Sequence, residues 1–408
     1  MRGRVHPVTG SRRRRPAGTG LLTALVAGGL IAGLVVAGPA LTAATGGDPA
    51  AGDPAAPGAA PPGTAAAPPG PPDCAPMVAA LSPRDRLAQR LMVGVDASDP
   101  AGARAIVAGS QVGGVFLGGN KTALLQDDRM QPLQDASRTP LAAAVDEEGG
   151  RVQRIDELDG DIPSARQMAA SNTPEQVTEI ARKRAGQLKA RGVTWNLAPS
   201  VDVSDQARAS VIGDRSFSDD PDTATRYAQA WAEGQQAGGV YGVLKHFPGH
   251  GEGSGDSHEG SVSTPPLAEL EKRDLTPYAA LVGPGKPLDG RIGVMLGHLE
   301  VPGLTGGNPT SVDPAAYRLL REQYRFDGVV MTDDLGAMKA ITDRFGLAEA
   351  TTRALSAGAD IALFSNVTPV APLLDAAEQA LGSGRIPAQA NDVAAARVLE
   401  SKALCSRR

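Results

Sequence analysis

Eight short apolar runs of β-type recur between residues 91 and 365, most of them separated by segments of helical pattern. The runs are LMVGVD (91–96), VGGVFLGG (112–119), PLAAAVDEE (140–148), VTWNLAPSVDV (193–203), GVYGVLKHF (239–247), RIGVMLGHL (291–299), DGVVMTDDL (327–335) and ADIALFS (359–365). The clearest helical segments are 174–192, 222–239 and 347–358, each ending in or at a glycine, the usual C-cap residue. A strand that is apolar throughout is buried on both faces, which marks a parallel sheet covered by helices. Eight such strands between Met77 and Leu404 predict an α/β fold, a single (β/α)8 barrel of the TIM type. A doubly wound open sheet is the alternative.

The ends of the chain differ from this pattern. Arg2, Arg4, Arg12, Arg13, Arg14 and Arg15 precede the uncharged, apolar stretch Leu21–Ala37 and then small residues. That layout predicts an export signal over 1–45, either cleaved or kept as an N-terminal membrane anchor. No cysteine follows the apolar stretch, so no lipid-attachment box is read there. Of the 31 residues 46–76, 26 are Ala, Gly or Pro. A segment with so little to bury cannot offset its ordering entropy, so a disordered, semi-rigid tether is expected. The folded domain is then 77–408. A net charge of −5 gives no reason to expect nucleic acid as a partner. The two cysteines, Cys74 and Cys405, flank the folded region. A barrel's first and last elements are neighbours, and export supplies an oxidising compartment, so a Cys74–Cys405 disulfide is expected.

Polar residues gather at the C-terminal ends of the runs: Asp146, Asp202, Lys245, His246, His298, Asp333 and Asp334. In a barrel these ends surround the active-site mouth. The densest stretch is Lys245-His246-Phe247-Pro248-Gly249-His250-Gly251, followed by Asp256-Ser257-His258. Its histidines and Asp256 suit a divalent metal, a proton-transfer set with Asp256 orienting His258, or an ordinary polar loop. Of the adjacent carboxylates Asp333 and Asp334, strand alternation turns one toward the mouth, and Asp334 reads as a helix N-cap. An acid and arginines after the third run, Asp146 to Arg154, suit a polyhydroxylated ligand; a surface salt-bridge cluster is the alternative.

Together, DEEGGRVQR (146–154), IGDRSF (212–217), KHFPGHG (245–251), GDSH (255–258) and GVVMTDDL (328–335) resemble bacterial β-N-acetylglucosaminidases of glycoside hydrolase family 3. KHFPGHG followed by DSH is the specific part. It separates this branch from the family's β-glucosidases, which use a separate glutamate as acid/base. The resemblance implies a (β/α)8 barrel, with Asp333 as nucleophile, His258 as general acid/base and Asp256 as its partner. It implies that Asp146, Arg154, Arg215, Lys245 and His246 bind the hydroxyls of a non-reducing GlcNAc. Two departures stand out. Glu147 occupies a position where glutamine is common. The loop Gly249–Gly260 is glycine-rich, so it is expected to be mobile and to bring His258 to the substrate on closing.

The expected function is an exported, retaining exo-β-N-acetylglucosaminidase acting on peptidoglycan-derived GlcNAc–MurNAc fragments. No cofactor, no metal and a monomer are expected. A phosphorylase, in which phosphate resolves the glycosyl-enzyme, and a non-catalytic cell-wall sugar-binding protein are the rivals.

Overall fold

The computed structural model describes residues 73–406. The expected signal or anchor over 1–45 and the linker up to residue 72 lie outside the described residues. Each of the eight apolar runs holds one strand: β1 (Leu91–Gly94), β2 (Gly114–Phe116), β3 (Ala142–Val145), β4 (Trp195–Asn196), β5 (Tyr241–Phe247), β6 (Ile292–Leu296), β7 (Val330–Thr332) and β8 (Ala362–Phe364). All neighbouring pairs are parallel, in the order β8-β1-β2-β3-β4-β5-β6-β7. The circle closes between β7 and the residue entering β8. Met331 bridges Ile361, and the Thr332 N–H donates to the Ile361 carbonyl at 3.0 Å. The doubly wound alternative is therefore not realised.

Strand alternation sorts the core into two layers. Met92, Phe116, Ala142, Ala144, Trp195, Val243, Met295, Met331 and Leu363 fill the barrel interior. Their chain neighbours, such as Leu91, Val93, Ala143, Val145 and Val294, pack outward against the helices. The helices include α1 (Cys74–Ala80), α2 (Pro174–Ala190), α3 (Pro221–Ala237), α4 (Leu347–Ala357) and α5 (Ala388–Ser401). Thr173 and Gln176 form a capping box at the start of α2, and Pro174 fits the first helical turn, where its missing N–H costs nothing. Asp220 accepts from the Thr223 N–H and starts α3. The predicted helices α2, α3 and α4 thus appear within two residues of their expected bounds.

Helix α5 lies across the end of the barrel opposite the mouth, where Val398 packs on the interior layer. There the Cys74–Cys405 disulfide joins α1 to the residues after α5, with Val78, Ala395 and Leu399 around it. Residues Cys74–Pro76, expected as the end of the linker, are helical instead. The Asp73 carboxylate accepts from the Ala75 N–H, and the disulfide holds Cys74 down. One pairing was not expected from the sequence: Val262–Ser263 lies parallel to Leu299–Glu300 beside the mouth.

Candidate active site

A cavity of about 310 Å³ opens at the C-terminal ends of the strands. Strand β3 delivers Asp146 and Glu148, β5 delivers Lys245 and His246, and β7 delivers Asp333 and Asp334. Arg154, Arg215, His250 and His258 reach it from loops. Adjacent side chains on a regular strand point apart, yet Lys245 and His246 both line the cavity. The pairing register with β6 shifts between Leu244 and Phe247, which breaks the alternation there.

The floor is a closed network of charges. Lys245 Nζ lies 2.6 Å from Asp146 Oδ1 and 2.5 Å from Glu148 Oε1. The Arg215 fork meets Glu148 through both oxygens, at 2.8 Å each. Burial opposes the charge on Glu148, but Arg215 and Lys245 outweigh it and hold its carboxyl far below the usual range. The same carboxylates offset the burial of Arg215 and Lys245 and keep both cationic. Arg154 stands 3.9 Å from Asp146.

A second layer fixes His246. Asp202, fully buried, accepts a hydrogen bond from its Nδ1 at 2.7 Å, while Arg215 lies 3.3 Å from Nε2. Arginine can only donate, so Nε2 is the acceptor and Nδ1 carries the hydrogen. Asp202 also accepts from the backbone N–H of His250 at 2.7 Å. Burial works against its charge, and His246 outweighs burial to keep it ionised. His298 lies behind the cavity rather than in it, with its ring on Ser311 Oγ and the Asp334 carbonyl.

The two adjacent aspartates behave differently from expectation. Both line the cavity, because β7 ends at Thr332 and strand alternation no longer applies. Asp334 does not cap a helix. Its carboxylate accepts from the Gly336 N–H at 2.8 Å and the Ser365 N–H at 3.0 Å, and it also meets Ser365 Oγ. Asp333 receives the Asp334 N–H at 2.9 Å. Burial pushes its carboxyl up, but His246 and His298 pull harder, so the net shift is downward and Asp333 is ionised.

Above this floor, His258 Nδ1 sits 2.8 Å from Asp256 Oδ1, which also accepts the His258 backbone N–H at 2.9 Å. Burial opposes ionisation of Asp256, but these two donors together outweigh it and lower its carboxyl. His258 lines the cavity, and its bond to Asp256 uses Nδ1 and not Nε2. The loop that carries the pair is only partly as expected. A Cβ on Gly249 would sit 2.4 Å from Asp274 Cβ, and one on Gly251 only 1.9 Å from the Val203 carbonyl oxygen. These two glycines allow close packing rather than motion. Gly255 and Gly260 face open space, and the stretch between them is tied through the Ser257 carbonyl to the Ala340 N–H.

Asp146, Arg154, Arg215, Lys245, His246, His258 and Asp333 therefore meet at one cavity, with Asp256 directly behind His258. The sequence alone did not reveal the parts played by Glu148, Asp202 and His250. The signal was present for Asp202, a charge at the end of an otherwise apolar run that needs a partner once buried. Of the metal reading, one ligand is lost: Nδ1 of His246 is held by Asp202, and the Arg215 cation 3.3 Å from Nε2 repels a metal ion there.

The family model described as "Glycosyl hydrolase family 3 N terminal domain" matches residues 83–401. The chain belongs to glycosyl hydrolase family 3. It is a glycoside hydrolase whose relatives include "Beta-hexosaminidase LpqI" of Mycobacterium tuberculosis, 48% identical over 349 residues, covering 83% of this chain and 88% of that protein. A solved family 3 glycosyl hydrolase of Mycobacterium smegmatis superposes with a TM-score of 0.76 at 48% identity, over 81% of this chain and 98% of that one. A family 3 β-N-acetylglucosaminidase from Paenibacillus sp. gives 0.72 at 29% identity, over 80% and 63% of the two chains.

Proposed function

We propose that this protein is an exported, retaining exo-β-N-acetylglucosaminidase that removes terminal β-GlcNAc from the non-reducing end of peptidoglycan fragments. The observation that carries the reading is that an ionised Asp333 and a His258 backed by Asp256 line the same cavity. Relatives bearing the names β-hexosaminidase and β-N-acetylglucosaminidase support the substrate class. Small-ligand pockets span about 300–1,000 Å³, so this cavity suits one sugar ring and an exo mode.

In the first step Asp333 attacks the anomeric carbon, the glycosidic bond breaks, and His258 Nε2 gives its proton to the leaving oxygen. In the second, His258 takes a proton from water, the water oxygen replaces Asp333, and the β-configuration is restored. Asp256 holds the Nδ1 hydrogen throughout, so the exchangeable proton stays on Nε2. Asp146, Arg154, Arg215, Lys245 and His246 hold the sugar hydroxyls, and the loop from Gly255 to Gly260 draws His258 onto the bound substrate. Both the basic, apolar N-terminus and the disulfide at the barrel's far end suit an exported protein.

A histidine repels an incoming anion less than a glutamate would, which favours phosphorolysis as the second reading. Product analysis separates the two. The hydrolase gives free GlcNAc of retained configuration at the same rate with or without inorganic phosphate. Accumulation of GlcNAc 1-phosphate, with turnover dependent on phosphate, would replace hydrolysis by phosphorolysis.

A further inference from the structure

Glu147 lies between two cavity residues, Asp146 and Glu148, yet points away from the cavity and is completely buried. Its main chain is clamped to β4: the Glu147 N–H donates to Asn196 Oδ1 at 2.8 Å, and Asn196 Nδ2 donates back to the Glu147 carbonyl at 2.9 Å. Its side chain reaches across the turn to a second stretch of backbone. Oε2 accepts the Arg154 N–H at 2.5 Å and the Ile155 N–H at 3.3 Å. Thus a single carboxylate ties the backbone of Arg154 to the strand end that carries Asp146 and Glu148.

The other oxygen is poorly served. Oε1 has no hydrogen-bond partner, and the nearest cation, Arg184 Nε of α2, is 3.7 Å away. Arg184 itself leaves Nε and Nη1 unpaired, spending its remaining nitrogen on the Gly160 carbonyl. The charged groups around Glu147 are therefore Arg184 from α2 and Arg154 from its own loop, while β4 offers only the neutral Asn196. Burial prevails over both arginines and over the two backbone donors, and the carboxyl is pushed up to about 6.

We propose that Glu147 is a positioning residue that sets Arg154 in the sugar pocket, and that its protonation weakens sugar binding. The proposal rests on the reading of Arg154 as a sugar-binding residue. The ionised carboxylate is the stronger acceptor for the two N–H groups. A proton added to Oε1 finds only arginine donors facing it, so the neutral form gains no bond in exchange. Affinity then falls as pH drops through about 6, and recovers as pH rises.

The experiment is calorimetric titration of the full protein with free N-acetylglucosamine above and below about pH 6, with kcat measured in parallel. In the unaltered protein Kd rises on the acid side. Glu147→Gln, a neutral isostere, has at high pH the weakened Kd that the unaltered protein reaches at low pH, and it stays flat across the window. Glu147→Ala, which removes the acceptor, weakens binding by about tenfold with kcat within about twofold. Asp274, pushed up to about 7 by burial and by Asp202, is common to all these proteins, as are the three cavity histidines, so their effects cancel in the comparison. Arg154→Ala is the control: if it leaves Kd unchanged, the reading of Arg154 is what fails. If Arg154→Ala weakens binding but Glu147→Gln follows the same pH profile as the unaltered protein, the role of Glu147 is refuted. Should Glu147→Ala not fold, the Gln profile decides alone.

Discussion

Lys245 and His258 both line the cavity, but the Lys245 side chain is 2% exposed and lies between two carboxylates, whereas the His258 side chain is 57% exposed and rests on one. Lys245 and the carboxylates of the floor stand at strand ends, where the barrel's own hydrogen bonds fix the backbone, and Arg215 joins them from a loop. The floor's charges are paired before any ligand arrives, so binding a sugar requires little reorganisation. The loop around His258 hangs between Gly255 and Gly260, where an added Cβ would meet nothing, and is tied down through Ser257. On the proposed mechanism, the difference follows from the task. A binding group meets one face of a sugar ring in one geometry. A proton-transfer group must meet the leaving oxygen first and an incoming water later, so it gains from a support that can shift.

If the comparison holds, changes to the floor act on nucleophilic attack, binding and stability, and changes to the loop act on proton transfer. The largest effect belongs to the floor. Asp333→Asn is nearly isosteric but has no nucleophile, so turnover falls by ~10⁴-fold or more with the melting temperature nearly unchanged. Asp334→Asn costs much less turnover, since that carboxylate is engaged with Gly336 and Ser365. Steady-state rates with any aryl N-acetyl-β-glucosaminide check the ranking, and the reverse order would identify the wrong carboxylate. Next comes Glu148→Gln. It leaves Arg215 and Lys245 buried with one charge too few opposite them, which lowers unfolding stability by roughly 3–5 kcal/mol and raises KM. Denaturant unfolding measures the first and steady-state kinetics the second. A full-stability Glu148→Gln would show that the floor is less closed than its distances imply.

Much of this division was legible in the sequence. Parallel strands buried on both faces must be apolar throughout, so all eight stood out, and so did the polar residues that end them. The Cys74–Cys405 pairing came from the closure of a barrel. Three features were not legible. The irregular register at Lys245 and His246 has no local sequence signature, so alternation alone would have separated them. The partners of Glu148 and Asp202 lie 67 and 44 residues away, so no short pattern identifies them, even though a charge ending an apolar run signals that Asp202 needs one. The glycines of the loop looked alike as letters. Only the packing distinguishes Gly251, pressed against Val203, from Gly255, which faces open space.

The contrast between floor and loop turns on His258 as the group that moves protons, and leaving-group dependence tests that most directly. A nitrophenolate departs without help, whereas a sugar alkoxide needs a proton. General acid catalysis is worth ~10²–10⁴-fold, so His258→Ala should slow cleavage of a GlcNAc–sugar bond by that order while barely touching the first step with a nitrophenyl glycoside. The nitrophenyl substrate should then show a burst and afterwards slow turnover, because hydrolysis of the glycosyl-enzyme needs the same histidine as base. Asp256→Asn should give a milder version, with the ring present but its tautomer no longer fixed. Equal slowing of the first step for both substrates in His258→Ala would contradict the assignment and remove the loop from the chemistry.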